Sequence, residues 1–200
     1  KDMSGLLKPY AAKILIEALK DTVKIPIHLH THDTSSLQPV TYMMAIEAGV
    51  DVVDCAIGAL SGLTSQPNFN AMVEMMRFHK RENVYDIRSL NQFSTYWEIV
   101  RAYYYPFESG MKGSSAEVFQ HEIPGGQYSN LKSQAIALGL GNQFEEIKDR
   151  YVEVNDLFGD IVKVTPSSKV VGDMAQYMVA NQISKEDIFT RGDQISFPDS

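Results

Sequence analysis

The chain has a single cysteine, Cys55, so it cannot close an internal disulfide, and the disulfide framework of a small secreted scaffold is excluded. Cys55 lies in the apolar run VDVVDCAIG, where a thiol behaves as a small core hydrophobe, and its solitary presence fits a reducing compartment. Positive charge is also scarce: 18 Lys and Arg stand against 25 Asp and Glu, for a formal net charge of -7. Without a basic stripe to displace counterions from phosphates, neither nucleic acid nor an anionic membrane surface is expected as a partner. No apolar run approaches the roughly 18 to 20 residues that a membrane span needs, and no charged-then-apolar leader opens the sequence. Internal repeats and low-complexity tracts are missing too. What remains is 44% hydrophobic and 22% charged, the composition of a soluble globular protein with small-molecule or protein partners.

Two kinds of patterning divide the chain. Residues 8–21, KPYAAKILIEALKD, place Pro9 at a helix start and repeat Ala11, Ile14, Leu15, Ala18 and Leu19 at helical spacing. The strand-like KIPIHLHTH follows. QPVTYMMAIEAG reads as a second helix, with Pro39 in its first turn and Gly49 as its stop, and VDVVDCAIGAL as a buried strand. This helix, strand, helix, strand order with short connections predicts an α/β unit with a parallel sheet, doubly wound or closed into a barrel. Two strands are too few for either. From about residue 68 onward helical patterns dominate, in NAMVEMMRFHKRE, LNQFSTYWEIVRAYY (ended by Pro106), LKSQAIALG and NQFEEIKDRYVEVNDLFG, with a long loop over residues 109–130. The expected units are an α/β part over residues 1–70 and a helical annex over 71–200.

The densest chemistry lies in KIPIHLHTHD, where His28, His30 and His32 alternate before Asp33. In a strand these side chains share one face, about 6.6 Å apart along the axis. Chemistry in parallel α/β folds gathers at the C-terminal strand ends, so His30 and His32 are candidates to converge on one ion through neutral imidazole nitrogens. His28, a layer deeper, reads as a hydrogen-bonded core residue, while Asp33 and Thr34 offer supporting or capping groups. The alternative is that all three imidazoles are structural. Two histidines do not make a site, and a further ligand must come from another strand.

Read together, KDMSGLLKP, HLHTHDTS, EIPGGQYSNL and GDIVKVTPSSKVVGDMAQYMV resemble the carboxyltransferase domain of the pyruvate carboxylase family, in family order and over essentially the whole chain. The resemblance implies the last strands of a TIM (β/α)8 barrel followed by a mainly helical funnel, with the earlier strands preceding Lys1; the chain is thus expected to be a fragment. It also implies a carbamylated Lys1. An ammonium has three donors and no lone pair, and carbamylation turns it into an oxygen ligand. Lys1, His30 and His32 would then hold a divalent ion, Mn or Zn, with a fourth ligand, an aspartate of the first strand, outside these residues.

VTPSSK carries two readings. A threonine before proline is ordinarily a turn or strand-end residue. The resemblance instead makes Thr165 the carrier of a proton between pyruvate's methyl group and biotin, with Ser168 and Lys169 contacting the biotin ring, although Lys169 also reads as a solvated surface lysine. PGGQ at 124–127 reads as a structural turn, and Trp97 and AYYYPF as core or subunit contacts. The implied activity is transfer of a carboxyl group from carboxybiotin to pyruvate, giving oxaloacetate, within an enzyme whose ATP- and Mg-dependent step and biotin carrier domain lie elsewhere. A homotetramer is implied, in the cytoplasm of a bacterium or the mitochondrial matrix of a eukaryote. The runner-up is an oxaloacetate decarboxylase or transcarboxylase on a similar barrel, whose relatives tend to carry PGGM and TPTSQ. More distant alternatives are a Claisen-type lyase and a non-catalytic interaction segment.

Overall fold

A computed structural model describes residues 1–198; residues 199–200, at the end of the expected annex, lie outside the described residues. The order opens α1 (Pro9–Thr22), β1 (His28–Leu29), α2 (Gln38–Glu47), β2 (Val52–Val53), and then runs through helices α3 (Phe69–Met75), α4 (Ile87–Arg101), α5 (Val118–His121), α6 (Gly125–Ala137), α7 (Phe144–Leu157), α8 (Ser167–Asn181) and α9 (Lys185–Arg191). The expected alternation is present in the first quarter, and the rest is helical. β1 and β2 pair in parallel, His28 with Val52 and Leu29 with Val53. A parallel bridge from Asp2 to Thr31 adds the opening segment on the other side of β1.

The first core gathers Ala12, Ile16, Leu29, Tyr42, Ala45, Ile46, Val50 and Met72. α1 starts on Pro9, whose missing N–H costs nothing in the first turn, and buries Ala12 and Ile16, while Ile14 and Leu15 of the expected stripe stay exposed. The helix is apolar on more than one side, so spacing alone does not say which side faces the sheet. α3 stops at Met75 rather than continuing to residue 82. Arg81 leaves the helical path and donates to the carbonyls of Ile46 and Val50, at 3.0 and 2.6 Å, closing the end of α2, while Phe78 turns left-handed with its N–H on Glu82.

The second core is built by α6, α7 and α8 around Leu131, Ile147, Tyr151, Val154, Val171 and Met178, all fully buried. Each such aliphatic side chain contributes about 1.5–3 kcal/mol on burial. Between the cores α4 buries no residue and runs into a 3-10 turn over Ala102–Phe107 that includes Pro106. Trp97 is 39% exposed and Tyr103, Tyr105 and Phe107 are more so, so the aromatic stretch expected as core or contact is on the surface of this chain.

Candidate metal and proton-transfer site

The opening segment is fixed by one carboxylate. Asp2 accepts from the N–H groups of Gly5, Leu6 and Leu7 at 2.9 to 3.0 Å and from the Thr31 hydroxyl at 2.9 Å, and its own N–H donates to the His30 carbonyl at 2.8 Å. With four partners it has no spare role as a ligand. Gly5 makes the turn possible, since its φ is +79° and a Cβ there would lie 2.2 Å from the His32 carbonyl oxygen.

Pairing then decides what faces what. Asp2 sits opposite Thr31, so Lys1 comes alongside His30 on the other face of the sheet, one strand spacing, about 4.8 Å, away. On the far side the β1–β2 register continues from Val52 opposite His28 to Asp54 opposite His30. By this register Lys1, His30 and Asp54 come level with one another across the bridged opening segment, β1 and β2, with His32 one step further along. The ring centroids of His30 and His32 are 5.1 Å apart, edge to face.

The second nitrogens of both rings are committed. His30 Nδ1 donates to Asp54 at 2.8 Å. His32 Nδ1 lies 2.7 Å from the Thr64 carbonyl oxygen, which can only accept, so that nitrogen carries the proton. With Nδ1 engaged in each ring, Nε2 is the nitrogen left over for a metal, the tautomer a metal ligand needs. Burial holds the His32 pKa below its ordinary value, only partly offset by the Thr64 bond, which favours the neutral ring. Partial desolvation pushes Asp54 up, but its hydrogen bonds from His28 and His30 outweigh this and hold it below the usual carboxylate range. The donor set fits a divalent ion provided that Lys1 is carbamylated, because among the described residues no three His, Cys, Asp or Glu side chains gather as ligands.

His28 departs from expectation. It is hydrogen-bonded, its Nε2 2.6 Å from Asp54, but its side chain is 54% exposed, so in this chain it is no core residue. Asp33 caps α2, accepting from the Gln38 N–H at 3.2 Å, and does not reach the histidine rings by hydrogen bond. Burial raises its carboxyl to about 6. PGGQ is not a turn: Pro124 is the N-cap and Gly125–Gln127 form the first turn of α6. A Cβ on Gly125 would stand 2.5 Å from His32 Nδ1 and 2.6 Å from the Thr64 oxygen, so the bare glycine is what lets the helix reach His32.

Thr165, Ser168 and Lys169 lie elsewhere, Thr165 in the turn just before α8 and Ser168 and Lys169 in its first turn. Thr165 is exposed and Ser168 buried, the latter's carbonyl accepting from the Tyr151 hydroxyl at 3.4 Å. Lys169 is exposed and pairs with Asp173 one turn on. No hydrogen bond among the described residues joins these three to the histidine row. The sequence offered a signal for Asp54, which stands opposite His30 once the two strands are paired. Asp2 carried only the weak signal of an aspartate three residues before a glycine.

Comparison with known proteins places the chain. The sequence profile of the HMGL-like family matches residues 1–94 and that of the conserved carboxylase domain residues 118–200. The whole chain is 53% identical to pyruvate carboxylase of Bacillus subtilis and 55% identical to that of Staphylococcus aureus, spanning 17% of each; the mitochondrial enzyme of Mus musculus is 43% identical over the same share. Among solved structures, the carboxyl transferase domain from Rhizobium etli pyruvate carboxylase with pyruvate and biocytin superposes on all of this chain, with a TM-score of 0.96 and 50% identity, over 34% of its own length. The chain therefore belongs to the pyruvate carboxylase family, as a portion of its carboxyltransferase domain.

Proposed function

We propose that this chain supplies part of a carboxyltransferase site that moves a carboxyl group from a biotin carrier domain to pyruvate, giving oxaloacetate. The observation that carries the proposal is the match, over every residue of the chain, to a domain solved with pyruvate and biocytin. Residues 1–70 would belong to the last strands of a TIM barrel and 71–200 to its helical funnel, a division supported by two separate cores that draw on residues 12–72 and 123–183. The ATP- and Mg-dependent step and the carrier would lie in the rest of a longer, tetrameric protein, bacterial or mitochondrial.

Carbamylated Lys1, His30 and His32 would hold a divalent ion, Mn or Zn. Such an ion, when bound, orients pyruvate and stabilises negative charge developing on its oxygen. Asp54 and the Thr64 carbonyl engage Nδ1 of the two rings, which would leave Nε2 of each to bind the ion. The Thr165 hydroxyl moves a proton between pyruvate's methyl carbon and the biotin ring, a task that suits a group able to donate and accept at once. Ser168 and Lys169, in the first turn of α8, would orient the ring. PGGQ and TPSSK favour pyruvate over the decarboxylase and transcarboxylase relatives.

The test is kinetic and uses the full-length protein. Thr165→Ala should lower pyruvate carboxylation by roughly 10²- to 10⁴-fold, the range of lost acid–base catalysis, while ATP-dependent biotin carboxylation continues. Thr165→Ser, which keeps the hydroxyl, should retain part of the rate. Near-normal carboxylation by Thr165→Ala would overturn the assignment.

A further inference from the structure

We propose that Lys163 is a positioning residue for the Thr165 hydroxyl, and that its ion pair with Glu122 sets the distance between the Thr165 turn and the segment that carries Lys1 and His32. The proposal rests on Thr165 acting as the proton carrier described above.

Thr165 belongs to a stretch without helix or strand between α7 and α8. Its own hydroxyl has no hydrogen-bond partner among the described residues, so its place is set by the backbone around it. Locally that backbone is closed by Ser167, whose hydroxyl lies 2.5 and 2.6 Å from the carbonyls of Val162 and Val164. These bonds shape the turn but do not tie it to anything else. The neighbours Val162 and Val164 point out, at 76% and 40% exposure.

Lys163 is the side chain that turns inward, at 12% exposure, with its Nζ 2.8 Å from Glu122 and 3.9 Å from Asp160. Asp160 in turn accepts from the Asn155 amide of α7 at 2.7 Å. Both acidic partners sit in left-handed backbone, at φ of +54° each, an uncommon state for a residue with a side chain that persists where the surroundings over-determine it.

Glu122 connects the turn to the other half of the site. Its carbonyl accepts from the Ser4 hydroxyl at 2.7 Å, and three residues later the Gly125 N–H donates to the Met3 carbonyl at 2.9 Å, at a position so close to His32 that a Cβ there would stand 2.5 Å from its Nδ1. A short chain of contacts therefore runs from Lys163 through Glu122 to the neighbours of Lys1 and to His32. Glu122 is 44% exposed on its side chain, and a pair of that kind contributes little to stability. Misplacing a reacting group by about 1 Å, by contrast, costs as much as 10²-fold in rate. The pair is therefore worth more as a ruler than as a rivet.

The experiment compares Lys163→Met, Glu122→Gln, Thr165→Ala and the Lys163→Met/Thr165→Ala double variant in the full-length protein. Pyruvate-dependent turnover and ATP-dependent biotin carboxylation are measured separately. Lys163→Met and the size-conserving Glu122→Gln should each lower the kcat of carboxyl transfer by roughly 10- to 100-fold, with little change in pyruvate KM and none in biotin carboxylation. In the Thr165→Ala background Lys163→Met should cost nothing more, because a residue acting through Thr165 has nothing left to act upon. Near-normal turnover of both single variants overturns the proposal, as does an equal, multiplicative loss in the double variant, which marks a merely structural role. If Thr165→Ala itself turns over normally, the proton-carrier assignment fails and this proposal with it. If only the Lys163 and Glu122 effects are missing, that assignment stands alone.

Discussion

Replacing Gly125 by alanine sets two physical effects of opposite sign against each other. On propensity alone the change stabilises, because alanine in a helix gains about 0.8–1.0 kcal/mol over glycine. The structure predicts the reverse. The new Cβ would lie 2.5 Å from His32 Nδ1, 3.0 Å from its Cγ and 2.6 Å from the Thr64 oxygen, and two of these are the atoms of a hydrogen bond that cannot be compressed further. Overpacking of this kind costs about 1–3 kcal/mol, and losing the His32–Thr64 bond adds about 1 kcal/mol. Net destabilisation of about 1–3 kcal/mol follows once the propensity gain is subtracted. On the proposed metal site, losing the orienting partner of His32 should also lower metal affinity by roughly 10- to 100-fold. Gly126 is the internal control, since a Cβ there meets nothing within 4 Å, so Gly126→Ala should stabilise by up to about 1 kcal/mol. The assay is thermal denaturation of both full-length variants with metal content measured on the same samples. If Gly125→Ala keeps its metal and melts no lower than Gly126→Ala, the contact between α6 and His32 is not what holds the ring.

Two further outcomes are expected. His121 is buried and accepts the Ile123 N–H on Nδ1 at 3.0 Å; burial, reinforced by Lys148, lowers its pKa from 6.5 to about 4. Its neutral form is favoured in the fold, so its stabilisation is complete above 6.5 and lost as pH falls toward 4, by about 3 kcal/mol in all. Melting curves between about pH 7 and about pH 4.5 should show this slope, and His121→Asn should flatten it; an unchanged slope would place the titration elsewhere. Asp54→Ala should weaken metal binding by roughly 10- to 100-fold, because it frees the His30 ring, whereas His28→Ala should leave metal content near normal. Equal loss in the two would show that His28 does more than share the carboxylate.

Local pattern made much of the first quarter legible. Pro9 and Pro39 marked helix starts, β1 and β2 fell where alternation and apolar runs put them, and His30 and His32 stood out by spacing alone. What the sequence concealed depends on distant partners. Asp54 gains its meaning only when its strand is laid beside that of His30, and the exposure of Ile14 follows from which side of α1 meets the sheet. PGGQ carries the composition of a turn but starts a helix, because Gly125 is selected by the approach to His32 rather than by backbone freedom. Spacing could not single out Thr165, since locally it is an ordinary residue before proline and only the resemblance gave it the proposed role.

Hydrogen bonds cross between the halves that hold the two cores, among them Ser4 to Glu122, Gly125 to Met3, Ser115 to Thr34 and Ser129 to Thr64. Hydrogen bonds of this kind specify geometry sharply, yet each contributes only about 0.5–1.5 kcal/mol net, because water replaces it when it breaks. Such a joint behaves as a latch and not as glue. It returns the two halves to one register whenever it closes.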